Sequence, residues 1–341
     1  MLVVHSEAHR RHAPRQFLVR GVMQDNAERP ERAERLLAAA RGAGHRIALP
    51  DKLPAGAIEA VHGAGYLGFL RDGPSAWAAL PGASPEIVPN VHPNRHMAAR
   101  PQGIVGLAGY HQADTACPIG PGTYEAACAA AACAAHATAA VLAGARAAYA
   151  LCRPPGHHAY ADMAGGFCYL NNVAIAAALA RKTHGRVAIL DIDVHHGNGT
   201  QGIFYDRPDV LFVSLHADPS RYYPFFAGYA DERGTGAGLG ASLNLPLPHG
   251  TGDAGYLAAL AQGFEAIRGF APGLLLVSLG FDASEHDPLG VLKLTAAGFA
   301  EIARRIAALG LPTVLIQEGG YLSDQLGGLL ATFLGSFEAA A

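Results

Sequence analysis

The chain has 341 residues with 25 Lys and Arg against 28 Asp and Glu, a formal net charge of −3, and only 16% charged residues. That balance excludes a polybasic nucleic-acid surface and an acidic tail, so small or neutral partners are expected. Half the residues are hydrophobic, enough for the single large core that α/β folds of this length often build.

The start of the chain offers residues 2–5 as a first strand, too short and without a basic leader for a signal peptide. Pro30 opens a helix with acids in its first turn, and Gly42 and Gly44 close it. Residues 47–49 read as a second strand. Residues 58–70 read as a helix around His62 and Tyr66, after which Pro74 marks a change of texture. From 81 to 122 the chain is rich in Pro, Gly, His and Asn, with one short helix near 104–110. So long an irregular stretch inside a compact unit is read as a functional loop, not a domain boundary.

An alanine-rich helix then runs toward Leu142, with Thr123 as its N-cap candidate. The stretch 126–151 is the nearest thing to a membrane span, but His136 and Arg146 suit a packed helix better. No membrane partner is expected. The five cysteines form no CxxC pair, which points to a reduced, cytoplasmic protein.

Beyond 148 apolar runs alternate with helical stretches. Strands are expected at 148–152, 187–190, 210–215, 274–279 and 313–316, and helices at 172–181, 255–267 and 297–309. That alternation implies βαβ units and a parallel sheet flanked by helices. Each conspicuous polar cluster follows one of these strands: His157 and His158, Asp191 to His196, His216, Asp282 and Tyr321. All carboxyl ends of a parallel sheet share one face, so these groups can converge on a single site.

The segment Asp191-Ile192-Asp193-Val194-His195-His196 is the densest cluster, and Gly197 and Gly199 are expected to turn the backbone tightly after it. Alone it also reads as a solvated turn. With Asp282, however, Asp193 and His195 give a cation three protein ligands and an open position, as in catalytic metal sites. Two carboxylates beside one imidazole suit Fe(II), Mn or Co as well as zinc. His157 and His158 offer a general base, and Tyr321 offers a donor to a developing oxyanion.

CRPPGHHA from Cys152, GGFCYLNN from Gly165, DIDVHHGNGTQ from Asp191, SLGFDASEHDPLG from Ser278 and QEGGY from Gln317 resemble, in order and spacing, the signature blocks of the histone deacetylase superfamily. PERAER from Pro30 and VHGAGYLGFL from Val61 are similar to its amino-terminal blocks. The resemblance implies one deacetylase domain over 1–341 with the arginase/deacetylase fold, its active site at the carboxyl ends of the strands. It implies Asp193, His195 and Asp282 as zinc ligands, His157 and His158 as tandem histidines partnered by Asp191 and Asn198, and Tyr321 as the carbonyl-polarising phenol. It also implies a structural potassium ion at Asp191, Asp193, His195, Ser214 and Leu215. Phe167 and Tyr223 would wall a substrate tunnel, with Gly166 and Asp114 beside them.

The block from Ser214 and the long 81–122 insertion are similar to bacterial acetylpolyamine amidohydrolases. There the loop pairs two subunits and narrows the entrance, so a homodimer acting on small acetylated amines is expected. Asp114 is the only acid between Ile87 and Tyr124, set against Arg95 and Arg100. Short acetylated diamines are therefore expected over longer polyamines. The alternative is a deacetylase of acetyl-lysine in peptides or proteins. An arginase-like site would need a second set of metal ligands, and a silent acetyl-binding module would lack a ligand or the tyrosine.

Overall fold

The computed structural model describes every residue except Ala98, which lies within the 81–122 segment. The strands are β1 (Leu2–Val4), β2 (Gln16–Val19), β3 (Val22–Asp25), β4 (Arg46–Ala48), β5 (Ala147–Ala150), β6 (Val187–Asp191), β7 (Val210–Ala217), β8 (Ser242–Leu247), β9 (Leu275–Leu279) and β10 (Thr313–Gln317). The helices are α1 (Pro30–Gly42), α2 (Ala64–Ala78), α3 (Ile104–His111), α4 (Thr123–Leu142), α5 (Asn172–Ala180), α6 (Asn198–Phe204), α7 (Asp253–Phe270), α8 (Ala296–Ala307) and α9 (Leu326–Ala340).

Eight strands form one parallel sheet in the order β4-β1-β5-β10-β9-β6-β7-β8. The α/β class and the parallel sheet are as expected from the alternating apolar runs. Helices cover both faces, so successive residues of one strand enter different cores. In β6, Ala188 and Leu190 join the cluster built with α1, α7, α8 and α9, while Val187 and Ile189 join the one built with α4 and α5. Burial on both sides explains why these strands read as continuous apolar runs. Among the described residues one helix, α4, is long and apolar enough to cross a membrane; 61% of the qualifying stretch is buried against the sheet and α5.

Several expectations require correction. Residues 58–62 form turns, and α2 begins at Ala64 and runs through Pro74 to Ala78. Thr123 is the first residue of α4 and not its cap; its hydroxyl accepts from the Gly120 N–H at 2.9 Å and lies 3.0 Å from His12 Nδ1. The tight turn expected at Gly197 and Gly199 opens helix α6, with Gly197 as its cap; a Cβ on Gly197 would meet Asp191 Oδ2 at 2.2 Å. Besides α6, a hairpin, an edge strand and the last helix were not expected from the sequence. The hairpin β2–β3 turns at Arg20 and Gly21, both with positive φ. Edge strand β8 carries Pro246, whose missing N–H costs no ladder bond on an open edge. Helix α9 packs on α8 and α1.

Candidate active site

Four adjacent strands at the centre of the sheet, β5, β10, β9 and β6, deliver the site. His157 and His158 follow β5, Tyr321 follows β10, Asp282 follows β9, and Asp193 and His195 follow β6. Neighbouring strand ends thus bring together residues more than 160 positions apart, and the geometry is fixed by the sheet register, with Asp191 opposite both Ser278 and Ser214.

One ligand atom each from Asp193, His195 and Asp282 lies within 4.8 Å of the others. His195 Nδ1 is 3.1 Å from Asp193 Oδ1 and 3.3 Å from Asp282 Oδ2. Backbone amides hold the carboxylates from behind: Val194 N–H donates to Asp282 Oδ1 at 2.9 Å, and Gly319 N–H to Asp193 Oδ2 at 2.7 Å. Asp282 Oδ2 is buried and accepts no hydrogen bond. A Cβ on Gly319 would sit 2.0 Å from that oxygen and 2.5 Å from Asp193 Oδ2, so glycine is needed for the backbone to close beneath the pair. Burial and the neighbouring Asp193 carboxylate push Asp282 up to about 7. Burial opposes ionisation of Asp193 too, but His157 and His195 hold it well below the usual carboxylate range. Against the same burial, Asp193 and Asp282 raise His195 to about 9. Two buried carboxylates, one of them with an orphaned oxygen, and one imidazole converging on a point fit a divalent cation, which would relieve the repulsion and supply the missing partner.

The tandem histidines differ through their partners. His157 Nδ1 is 3.0 Å from Asp191 Oδ2, and His158 Nδ1 is 2.6 Å from Asn198 Oδ1. The Asn198 amide is oriented by its own donation to the Tyr160 hydroxyl at 3.0 Å. Burial lowers His157, yet the Asp191 and Asp193 carboxylates outweigh it and raise the imidazole to about 10. His158 has no such partner, and burial with the charges of His157 and His195 pushes it well below its ordinary value. With Nδ1–H donating to Asn198, the lone pair of neutral His158 sits on Nε2.

Tyr321 is 4% exposed and its backbone N–H donates to Asp287 Oδ2 at 2.6 Å. The Arg32 guanidinium lies 4.8 Å from the Tyr321 ring centroid and donates to the carbonyls of Gly320 at 2.6 Å and Glu318 at 2.7 Å. Burial pushes the phenol well above its ordinary pKa, so it is a donor. Phe167 meets the Tyr321 ring edge-on at 5.8 Å, and Tyr223 meets His158 edge-on at 4.9 Å. Asp114 accepts from Ala116 N–H at 2.8 Å, Gly166 N–H at 3.0 Å and the Tyr223 hydroxyl at 2.6 Å. Its carboxylate therefore ties Tyr223 to the backbone of Gly166, next to Phe167. Neither arginine set against it in the sequence is among these partners: Arg95 donates to His96, and the Arg100 guanidinium lies over Gly65 of α2.

Of the positions tied to potassium, Asp191 and Ser214 face each other across β6 and β7, and Leu215 follows in β7. The Ser214 hydroxyl is 2.9 Å from His216 Nδ1. Beside the walls lies a cavity of about 530 Å³ lined by Asp114, Tyr160, Asn198, Tyr223, Phe225 and Phe226; the metal triad and Tyr321 are not in its lining.

Three contributors escaped the sequence reading. Tyr222 stacks on His195 at 4.8 Å and 11° between planes. Phe17, the one buried residue of the hairpin, packs on Phe167 at 5.4 Å. Arg32 lies in the PERAER segment and is buried, but nothing in that segment marks it as a brace for Tyr321.

A model of the histone deacetylase domain matches residues 25–336. An acetylpolyamine amidohydrolase of Burkholderia pseudomallei is 47% identical over 329 residues, covering 96% of each chain. One from Mycoplana ramosa is 41% identical over 330 residues, again covering 96% of each. A crystal structure of acetylpolyamine aminohydrolase from Burkholderia pseudomallei is similar with a TM-score of 0.96 at 46% identity, covering 100% of this chain and 99% of that one.

Proposed function

Since this chain belongs to the histone deacetylase family, we propose that it is a metal-dependent amidohydrolase that removes acetyl groups from small acetylated amines, acetylpolyamines or acetylated diamines. The observation that carries the chemistry is the orphaned Asp282 oxygen in a buried Asp193–His195–Asp282 triad beside a neutral His158. The names of the similar enzymes support the substrate class.

Asp193, His195 and Asp282 would hold the cation, zinc by family resemblance, with Fe(II), Mn and Co also suited to the donor set. Bound there, it would supply Lewis acidity toward the acetyl carbonyl and toward a water. His158 Nε2 takes the proton as that water oxygen bonds to the carbonyl carbon, and delivers it to the amine nitrogen as the C–N bond breaks. His157, charged and paired with Asp191, places a fixed positive charge beside the developing anion. Tyr321 donates to the oxyanion from a position braced by Arg32. Phe167 and Tyr223 flank the alkyl chain of the amine and exclude water. Acetate and free amine are released.

Several further assignments belong to the same reading. The 341 residues act as one deacetylase unit with 81–122 as an insertion. Asp191, Asp193, His195, Ser214 and Leu215 would hold a structural potassium ion. Two chains pair through the 81–122 loop, a pairing supported by Val91 and Met97 exposed on that loop and by Phe226, 93% exposed on the facing rim. The five free cysteines support a reducing, cytoplasmic setting. A turnover screen of metal-reconstituted protein against acetylated diamines, acetylpolyamines and acetyl-lysine peptides tests the function. Preference for the small amines is expected; equal turnover of a folded acetylated protein would move the chain to the lysine deacetylases.

A further inference from the structure

We propose that His5, Glu7 and His9 form a second divalent-cation site, of the zinc class, remote from the strand-end triad. One ligand atom from each lies within 4.8 Å of the others. The chain builds this spacing locally. His5 follows the end of β1, the Ser6 hydroxyl accepts from Ala8 N–H at 3.3 Å, and the resulting short 3₁₀ turn over Glu7–Arg11 brings the ring of His9 to 5.1 Å from that of His5.

The second observation is an unmet demand. His5 and His9 are 2% and 3% exposed, yet both ring nitrogens of His5 and Nδ1 of His9 lack any hydrogen-bond partner. Buried polar atoms left without a partner are costly and uncommon, and here three of them share one corner with a carboxylate. Glu7 stands on the exposed rim: its Oε2 is 3.1 Å from Arg10 Nε, while Oε1 faces His5 Nε2 at 3.6 Å. The arrangement is an open-sided pocket with two nitrogens inside and an anionic oxygen at the entrance.

Two imidazoles and one carboxylate, with room for water as a further ligand, are the donor set of zinc and its first-row neighbours. Calcium and magnesium, which demand mostly oxygen ligands, are poorly matched. Site and triad are distinct, because β5 and β10 separate β1 from β9 in the sheet. The effect of occupancy is structural. Arg153 donates to the carbonyls of His9 at 2.7 Å and His12 at 2.8 Å, so a cation pinning the turn to the end of β1 also steadies the root of the segment that leads to His157.

The test counts metal. Untagged holoprotein is titrated with Zn²⁺, desalted and subjected to elemental analysis. A second equivalent is expected beyond the one retained by the triad. Asp282→Ala should keep the distal equivalent alone. His9→Gln should lose it, and Glu7→Gln, which alters only an exposed side chain and leaves the circular dichroism spectrum unchanged, should weaken it roughly tenfold or more. A single equivalent in the wild type, or a second that survives both His9→Gln and Glu7→Gln at full affinity, overturns the assignment.

Discussion

The Tyr223 hydroxyl donates to Asp114 Oδ2 across 2.6 Å, and the same oxygen accepts the Gly166 backbone N–H at 3.0 Å. One carboxylate from the 81–122 loop thereby ties both sides of the entrance together. Because its partners are neutral donors, its charge is available to an approaching ammonium. Asp114→Ala should raise KM for acetylated diamines more than it lowers kcat, and should narrow the preference over neutral acetylated amines. Tyr223→Phe, which keeps the ring, should cost about 1.5–3 kcal/mol of stability for the lost charged hydrogen bond. Wild-type KM in the first and an unchanged urea midpoint in the second would show that the brace is incidental.

Metal retention should depend on atoms that are absent as much as on those present. Asp282→Ala removes the orphaned oxygen, and Gly319→Ala inserts a Cβ 2.0 Å from where it stands. Both variants should fold and both should lose the triad's metal and the activity. Elemental analysis after dialysis decides it, and stoichiometric metal in Asp282→Ala contradicts the ligand set.

Tyr321→Phe keeps the ring between Arg32 and Phe167 and deletes only the donor. Loss of one preorganised donor to an oxyanion corresponds to roughly 2.7–4 kcal/mol, about a hundredfold to a thousandfold in kcat. Substrate binding should persist. Near-normal turnover would reduce Tyr321 to wall packing.

The unlike partners of the tandem histidines predict unlike variants. His158→Ala should lose roughly a hundredfold to ten-thousandfold in kcat, the range for a positioned proton carrier. His157→Ala removes a charge held by Asp191 and should cost less. Single-turnover rates separate them, and the reverse order would exchange the two roles.

A pH effect on stability follows from His62, which lies away from the triad. Its Nε2 accepts the Asn171 backbone N–H at 2.9 Å, and burial pushes the imidazole down to about 4. The unfolded chain binds that proton near pH 6.5 and the folded chain only near 4, so the unfolded state gains protons between these values. The contribution is fully present above pH 6.5 and is lost as pH falls through the window, at up to about 1.4 kcal/mol per pH unit. His62→Gln should show a shallower decline in urea midpoint from pH 7 to 5. An identical slope in both proteins would remove His62 as the source.

The centre of the sheet was legible in the sequence because strands buried on both faces are apolar throughout and end in polar clusters. Runs such as Val187-Ala188-Ile189-Leu190 followed by Asp191 need no partner to be recognised. The elements that were missed lack that contrast. The hairpin strand β3 is exposed along its whole length and β2 buries only Phe17. In β8, Pro246 argues against a strand everywhere except on an open edge. Long-range braces were legible least of all: nothing near Arg32 announces that its partners are 286 and 288 residues away.

The position of β10 bears on how the chain comes into being. It is the last strand synthesised, yet it lies between β5 and β9. Until it emerges, the growing polypeptide holds two separate half-sheets, β4-β1-β5 and β9-β6-β7-β8, each with an apolar, unpaired border. Such borders invite pairing with other chains. Completion of the sheet must then wait until β10 has left the ribosome, and premature termination before Thr313 should leave an insoluble fragment.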